Sequence, residues 1–320
     1  MEIRDINPAD ILLFSGEKGS WISEAIMLLT NSPVSHAAMS YTSSDVLVEE
    51  TPPQVRTSDT ASRAEGRTLY VMRMDPPLDS MTPVLEAADV YLEQPAPYAM
   101  SNLYLVGMLL LYKRFTPGTP MQKVMLKIFK KLAAGIMKFI NEHESPGKLP
   151  MVCSQFVYQC YQDAGKRYKL NIKGGILLRA AAVEFESGSV LDRAIFQVKS
   201  DTRQDFRSFI AERAGTALHA EEPQNEEELA RELVEVLKAD EAAVAEELEQ
   251  ELVLAIQEFG QAVYAATTRA AIEADDMVRS NALRIAPTGL SFLKSEEPYF
   301  VAPGDLLSHC SNVRQVGVIQ

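Results

Sequence analysis

A chain of 320 residues, 47% of them hydrophobic, can bury one large core or one core plus a smaller second unit, which excludes disorder throughout. Its net charge of −13 and pI near 4.9 argue against nucleic acid as a partner, because neutralising phosphates needs a basic face. The three cysteines, at 153, 160 and 310, are too few for a complete disulfide framework and lack the paired spacing and companion histidines of structural zinc. No metal or cofactor is therefore expected.

The opening stretch MEIRDINPADILLF reads as neither a secretory signal nor a membrane span, and with the cysteine usage it suggests a reducing, cytoplasmic setting. Asp10 to Phe14, a short apolar run bounded by breakers, predicts a buried strand, and Trp21 to Thr30 has helical spacing. Val34 to Tyr41 and Val46 to Glu50 predict a hairpin across Thr42-Ser43-Ser44-Asp45, with a third strand over Thr68 to Met74. Helices are predicted over Pro83 to Glu93 and Tyr98 to Tyr112, with a break at Pro95 and Pro97, and then over roughly Met121 to Asn141.

Within that last helix Lys123, Lys127, Lys130 and Lys138 share one face, while Met121, Met125, Ile128, Leu132, Ile136 and Phe139 share another. Its first reading is a core helix with solvated lysines. The second is peripheral contact of residues 121–141 with an anionic membrane. Further on, a helix is predicted from Cys153, where Phe156, Val157, Cys160 and Tyr161 recur at three- and four-residue intervals and Gly165 stops the pattern. Asn225 to Glu251, rich in Glu, Leu and Ala, predicts an acidic helical insertion, read first as a solvated lid or hairpin and second as a surface for a protein partner. The tail from Tyr299 to Ile319 returns to strand-like composition.

Two residues stand out for chemistry. Cys153 opens a helix, where free backbone N–H groups and the dipole favour a thiolate, and His36 opens an apolar strand that can hold one ring nitrogen toward a cleft. Taken singly, a cysteine at such a place is more often buried packing. A catalytic imidazole also needs an acceptor on its other nitrogen, and Glu49 or Glu50 on the paired strand supplies it. Side-chain alternation allows only one of them to face His36, so the other should be solvated.

The strings Pro8-Ala9-Asp10-Ile11-Leu12-Leu13-Phe14, Ser32-Pro33-Val34-Ser35-His36-Ala37-Ala38-Met39 and Cys153-Ser154-Gln155-Phe156-Val157 together resemble the permuted papain-like amidases of the NlpC superfamily, the YiiX-like group. In that family the histidine strand precedes the cysteine helix, as it does here. Leu47-Val48-Glu49-Glu50-Thr51 resembles the family segment that orients the histidine, and on that alignment Glu49 is the third residue and Glu50 stands where a small residue is usual. Phe300 to Leu307 resembles the closing segment. The resemblance implies an α+β fold with a papain-like antiparallel sheet or barrel packed on the nucleophile helix, circularly permuted and carrying a helical insertion. It places the catalytic domain in 1–200 with 295–320 and the insertion in 201–294.

What the resemblance implies for function is a cysteine hydrolase cleaving an amide or peptide bond through a thioester, with Cys153 as nucleophile, His36 as base and Glu49 as orienting acid. Small-molecule, peptide or lipid substrates fit this chemistry. The lecithin:retinol acyltransferase-like enzymes share the histidine-first order, which raises a lipid acyl hydrolase or acyltransferase as an alternative, although their Asn-Cys-Glu-His motif is absent here. A non-catalytic binding module on the same fold is the third reading. Tyr98 corresponds to a tyrosine that related enzymes bring to the active site, with core packing as its equal alternative.

Overall fold

The computed structural model describes residues 1–51, 54–93, 102–142, 151–174, 188–200, 225–239, 247–273 and 289–320. The chain divides into two compact units, one made of Met1–Leu109, Pro146–Arg179 and Tyr299–Gln320, the other of Leu110–Ser145 and Ala180–Pro298.

The first unit is a mixed layer of sheet and helices. Its strands are β1 (Ile11–Ser15), β2 (Val34–Ser43), β3 (Val46–Thr51), β4 (Gln54–Asp59), β5 (Leu69–Met74) and β6 (Val313–Ile319). They form one antiparallel sheet in the order β4-β3-β2-β1-β5-β6. The helices of this unit are α1 (Trp21–Thr30), α2 (Thr60–Ala64), α3 (Thr82–Glu93), α6 (Cys153–Asp163) and α11 (Pro303–Ser308).

The apolar run of β1 has no polar alternation because both of its faces are covered. Ile11 and Leu13 join Ala37, Met39 and Val48 beneath Phe156, Val157 and Cys160 of α6, while Leu12 and Phe14 join Ala38, Leu47, Leu69 and Val71 on the other side. The expected strands and hairpin are present, and α1 spans the expected residues, with Ser20 Oγ accepting from the Ser23 amide at 3.2 Å and Asn31 closing it in the left-handed region at φ 46°.

Two departures concern elements that carry weak patterns. β4 and the short α2 have no apolar periodicity, since only Val55 of β4 and Thr60 of α2 are buried. In the tail, Pro303–Ser308 is helical before β6 begins, with Pro303 at a helix start and Asp305 Oδ2 accepting from the Ala302 amide at 2.9 Å.

The second unit is helical and contains α5 (Thr119–Glu142), α7 (Val190–Ser200), α8 (Glu226–Lys238), α9 (Gln250–Glu273) and α10 (Gly289–Glu296); α4 (Asn102–Tyr112) runs across the division. The packing of α5 along α9 and α8 displaces the domain boundary from the one expected, 1–200 with 295–320 against 201–294. Residues 110–145 and 180–200 belong with the helices. The physical reason is the apolar stripe of α5, in which Met125, Ile128, Phe129 and Ile136 are fully buried and Phe129 meets Phe259 of α9 at 5.4 Å between ring centroids.

That stripe is the face required for lipid contact, and here it lies inside the helical unit. Lys123 and Lys138 are exposed, and Lys127 Nζ donates to Glu232 Oε2 of α8 at 2.7 Å. Gly260 of α9 and Gly289 of α10 approach backbone to backbone: a Cβ on Gly289 would lie 2.3 Å from the Gln261 nitrogen, so a side chain there forces the helices apart. Of the expected insertion, residues 201–224, 240–246 and 274–288 lie outside the described residues, as does Tyr98. Among the described residues no helix is long and apolar enough to cross a membrane.

Candidate functional site

The candidate site lies where β2 and β3 part. Their paired residues run from Ser43↔Val46 to Met39↔Val48, whereas β2 stays paired with β1 as far as Ser15↔Val34 and β3 with β4 as far as Thr51↔Gln54. Beyond Met39 and Val48 the two strands are each held by their outer neighbour. His36, Ala37, Glu49 and Glu50 occupy the parted ends.

His36 pairs with Phe14 across β1–β2, and their rings lie 5.9 Å apart at a tilt. From that position its Nε2 meets Glu49 Oε2 at 2.7 Å, with the histidine ring nearly buried and the carboxylate side chain completely so. Glu49 is thus the glutamate that faces His36.

Glu49 is held from three further directions. Arg63 of α2 donates to its Oε2 through Nε at 3.1 Å and Nη2 at 2.8 Å, Ser58 of β4 donates to Oε1 at 2.8 Å, and Arg56 Nε stands 4.0 Å from Oε1. Burial opposes the ionised form, but the imidazole hydrogen bond and charge, the Arg63 guanidinium and the Ser58 hydroxyl outweigh it, and the Glu49 pKa falls to about 2. Glu49 is therefore a carboxylate over the whole neutral range. Arg63 and Ser58 were not singled out from sequence; the Asp59 N-cap, which accepts from the Ser62 amide at 2.7 Å, is the one local signal of the helix that carries Arg63.

With Glu49 accepting at Nε2, the neutral imidazole carries its proton there and keeps Nδ1 as the free base. Burial lowers the His36 pKa; the Glu49 contacts oppose this, and Arg63 and Arg67 add to the lowering. Arg67 also sits over the Phe14 ring at 5.2 Å and donates twice to the Ser15 carbonyl oxygen, at 2.8 and 2.6 Å.

Cys153 is the first residue of α6, whose side packs on β2 and β3. The helix start is fixed by Ser154 Oγ donating to the Val301 carbonyl oxygen at 2.7 Å. The amides of Ala37 and Ser154 are turned toward the sulfur and favour its ionised form. The structure thus sets the thiol beside the residue that follows His36. No hydrogen bond joins the thiol to the His36 ring among the described residues.

The acidity of the thiol departs from expectation. A helix start near an imidazole was expected to lower its pKa, but Cys153 is only 2% exposed, and burial first, then the charges of Glu50 and Glu49, push it up to about 12. At rest the site holds a neutral thiol and a neutral imidazole.

Glu50 departs as well. Alternation along β3 turns it away from Glu49, onto the face carrying Val48 and α6, and because α6 covers that face Glu50 is 4% exposed instead of solvated. Among the described residues no group of three or more His, Cys, Asp or Glu is arranged to hold a metal ion. No family model, curated protein or solved structure matches this chain.

Proposed function

We propose that the chain is a cysteine hydrolase that cleaves an amide or peptide bond through a thioester acyl-enzyme, on a circularly permuted papain-like fold of the YiiX-like kind. The observation that carries this reading is the buried His36–Glu49 pair at 2.7 Å, set one residue from an amide that faces the thiol at the head of α6.

In the reaction His36 Nδ1 takes the Cys153 proton, and the thiolate attacks the substrate carbonyl carbon to form a tetrahedral oxyanion. Collapse expels the amine, which leaves with the proton from His36 and produces the thioester. Water then gives a proton to His36 and attacks the thioester, and Cys153 regains its proton as the carboxylic acid departs. Glu49 stays ionised throughout, fixing the tautomer and stabilising the imidazolium. Because the resting thiol is neutral, the ion pair forms when the substrate carbonyl is in place to accept the sulfur.

A second reading, a non-catalytic binding module on the same fold, is favoured by one observation: the 2% exposure of Cys153 and its pKa of about 12. The lipid alternative has no such support, since the apolar stripe of α5 is buried. Mass spectrometry after exposure to a panel of activated amides and esters separates the first two readings. An acyl adduct on the peptide bearing Cys153, lost in His36→Ala, is expected; no adduct from any acyl donor, with the fold intact, would leave the binding module.

A further inference from the structure

Glu50 is a buried titratable group that the mechanism above does not use. It is 4% exposed, its Oε1 accepts no hydrogen bond among the described residues, and it lies on the α6 face of β3, the face toward which the Cys153 helix is packed. Its neighbour Glu49 has Arg63, Ser58 and His36; among the described residues no cation is paired with Glu50. A carboxyl group that is buried with one oxygen unpartnered bears a large desolvation cost when ionised, which favours its protonated form.

The charged groups around it come from several elements. Glu49 of β3 is an anion next to it in the chain, and Cys153 of α6 is the group whose ionisation Glu50 opposes. From the opposite face, His36 of β2 and Arg63 of α2 act on Glu49, as does Arg56 of β4 at 4.0 Å. Arg67 acts on His36, and α11, packed on β2, contributes Asp305 with His309 at 3.3 Å. Arg56 and Arg63 are thus committed to Glu49, while Arg67 feels the charges of Glu17, Glu49 and Cys153. Burial and the Glu49 charge both raise the Glu50 pKa, in agreement with the geometry.

We infer that Glu50 is a positioning residue for the nucleophile: as a neutral acid it lets Cys153 ionise beside His36, and as an anion it suppresses the thiolate. The proposal rests on Cys153 being the nucleophile of the proposed reaction. It couples the thiol to one proton on β3. Only proton transfer to and from solvent is involved, and no bond other than the carboxyl O–H changes.

The test is alkylation of Cys153 by iodoacetamide from about pH 5 to about pH 10, followed by peptide mass spectrometry in wild type, Glu50→Gln, Glu50→Asp and His36→Ala. Cys160 and Cys310 serve as references for folding. Glu50→Gln is expected to match wild type at low pH and to label about three- to tenfold faster once wild-type Glu50 has ionised, with Glu50→Asp retaining the wild-type bend. Superimposed wild-type and Glu50→Gln profiles would overturn the inference, and so would slower labelling of Glu50→Gln at high pH.

If Glu50→Gln does not fold, infrared spectroscopy of the wild type decides. A neutral buried carboxyl band that persists above pH 4.5 and disappears on raising the pH further, together with the bend in the wild-type labelling profile, is expected, and loss of the band by pH 4.5 overturns the proposal. A profile insensitive to His36→Ala but sensitive to Glu50→Gln would count against the hydrolase reading alone. These two failures are distinguishable.

Discussion

The two faces of β3 place neighbouring glutamates in opposite chemical states. On one, Glu49 is wholly buried yet ionised, because a guanidinium, a hydroxyl and an imidazole occupy its oxygens; on the other, Glu50 is 4% exposed with an oxygen that accepts no hydrogen bond from the described residues, under the apolar face of α6. Burial alone therefore does not set a carboxyl's charge. What decides is whether partners replace the lost water.

The largest expected effect separates the two glutamates by function. Glu49→Gln should slow acylation of Cys153 by an activated ester on the order of 10²-fold or more, since the amide removes the charge that stabilises the imidazolium and can reverse its tautomer. Glu50→Gln should not slow it. Equal losses in the two variants would erase the distinction.

Next in size is the loss of the clamp on Glu49. Arg63→Ala strips a guanidinium, 26% exposed, from a carboxylate that is completely buried, and should destabilise the fold by about 2–3 kcal/mol in denaturant titration, with Arg63→Lys recovering part of it. A change under about 0.5 kcal/mol would mean that Ser58 and His36 suffice.

Stability as a function of pH sharpens the contrast further. The Glu49 pKa is depressed from 4.5 to about 2, so its contribution is present above about pH 4.5 and is lost as pH falls toward 2. Glu50 is raised above 4.5, so its contribution is full below that pH and declines as pH rises through its folded value. Glu49→Gln should flatten the profile below about pH 4.5, and Glu50→Gln the decline that begins above it. The smallest effect is expected from Ser58→Ala, about 1 kcal/mol, for one hydrogen bond to a charged acceptor.

The legibility of these features follows the same physics. β1, β2, β3 and β5 were readable because apolar runs between breakers leave few alternatives, and α6 because Phe156, Val157, Cys160 and Tyr161 share a face. β4 was not, since QVRTSD buries Val55 alone and an edge strand needs no second apolar position. Arg63 was hidden with it, because its partner lies 14 residues away on a different strand.

Alternation identified Glu49 and Glu50 as occupying opposite faces, but a strand's own sequence does not say what covers its second face. α6, which covers it, begins about a hundred residues later. The placement of α5 has the same cause: its stripe fits any apolar surface, and only the packing along α9 assigns it to the helical unit.

The most direct test of the Cys153–His36–Glu49 unit uses an acyl donor, because the resting thiol is neutral. Acylation by an activated ester near pH 7 would be followed at Cys153 by peptide mass spectrometry in wild type, His36→Ala and Glu49→Gln, with Cys160 and Cys310 as internal references. The expected result is Cys153 labelling faster than both references in the wild type and losing that advantage in both variants. Labelling of Cys153 at the same rate in all three proteins, no faster than the references, would mean that the buried thiol is part of the core and that the His36–Glu49 pair does not act on it.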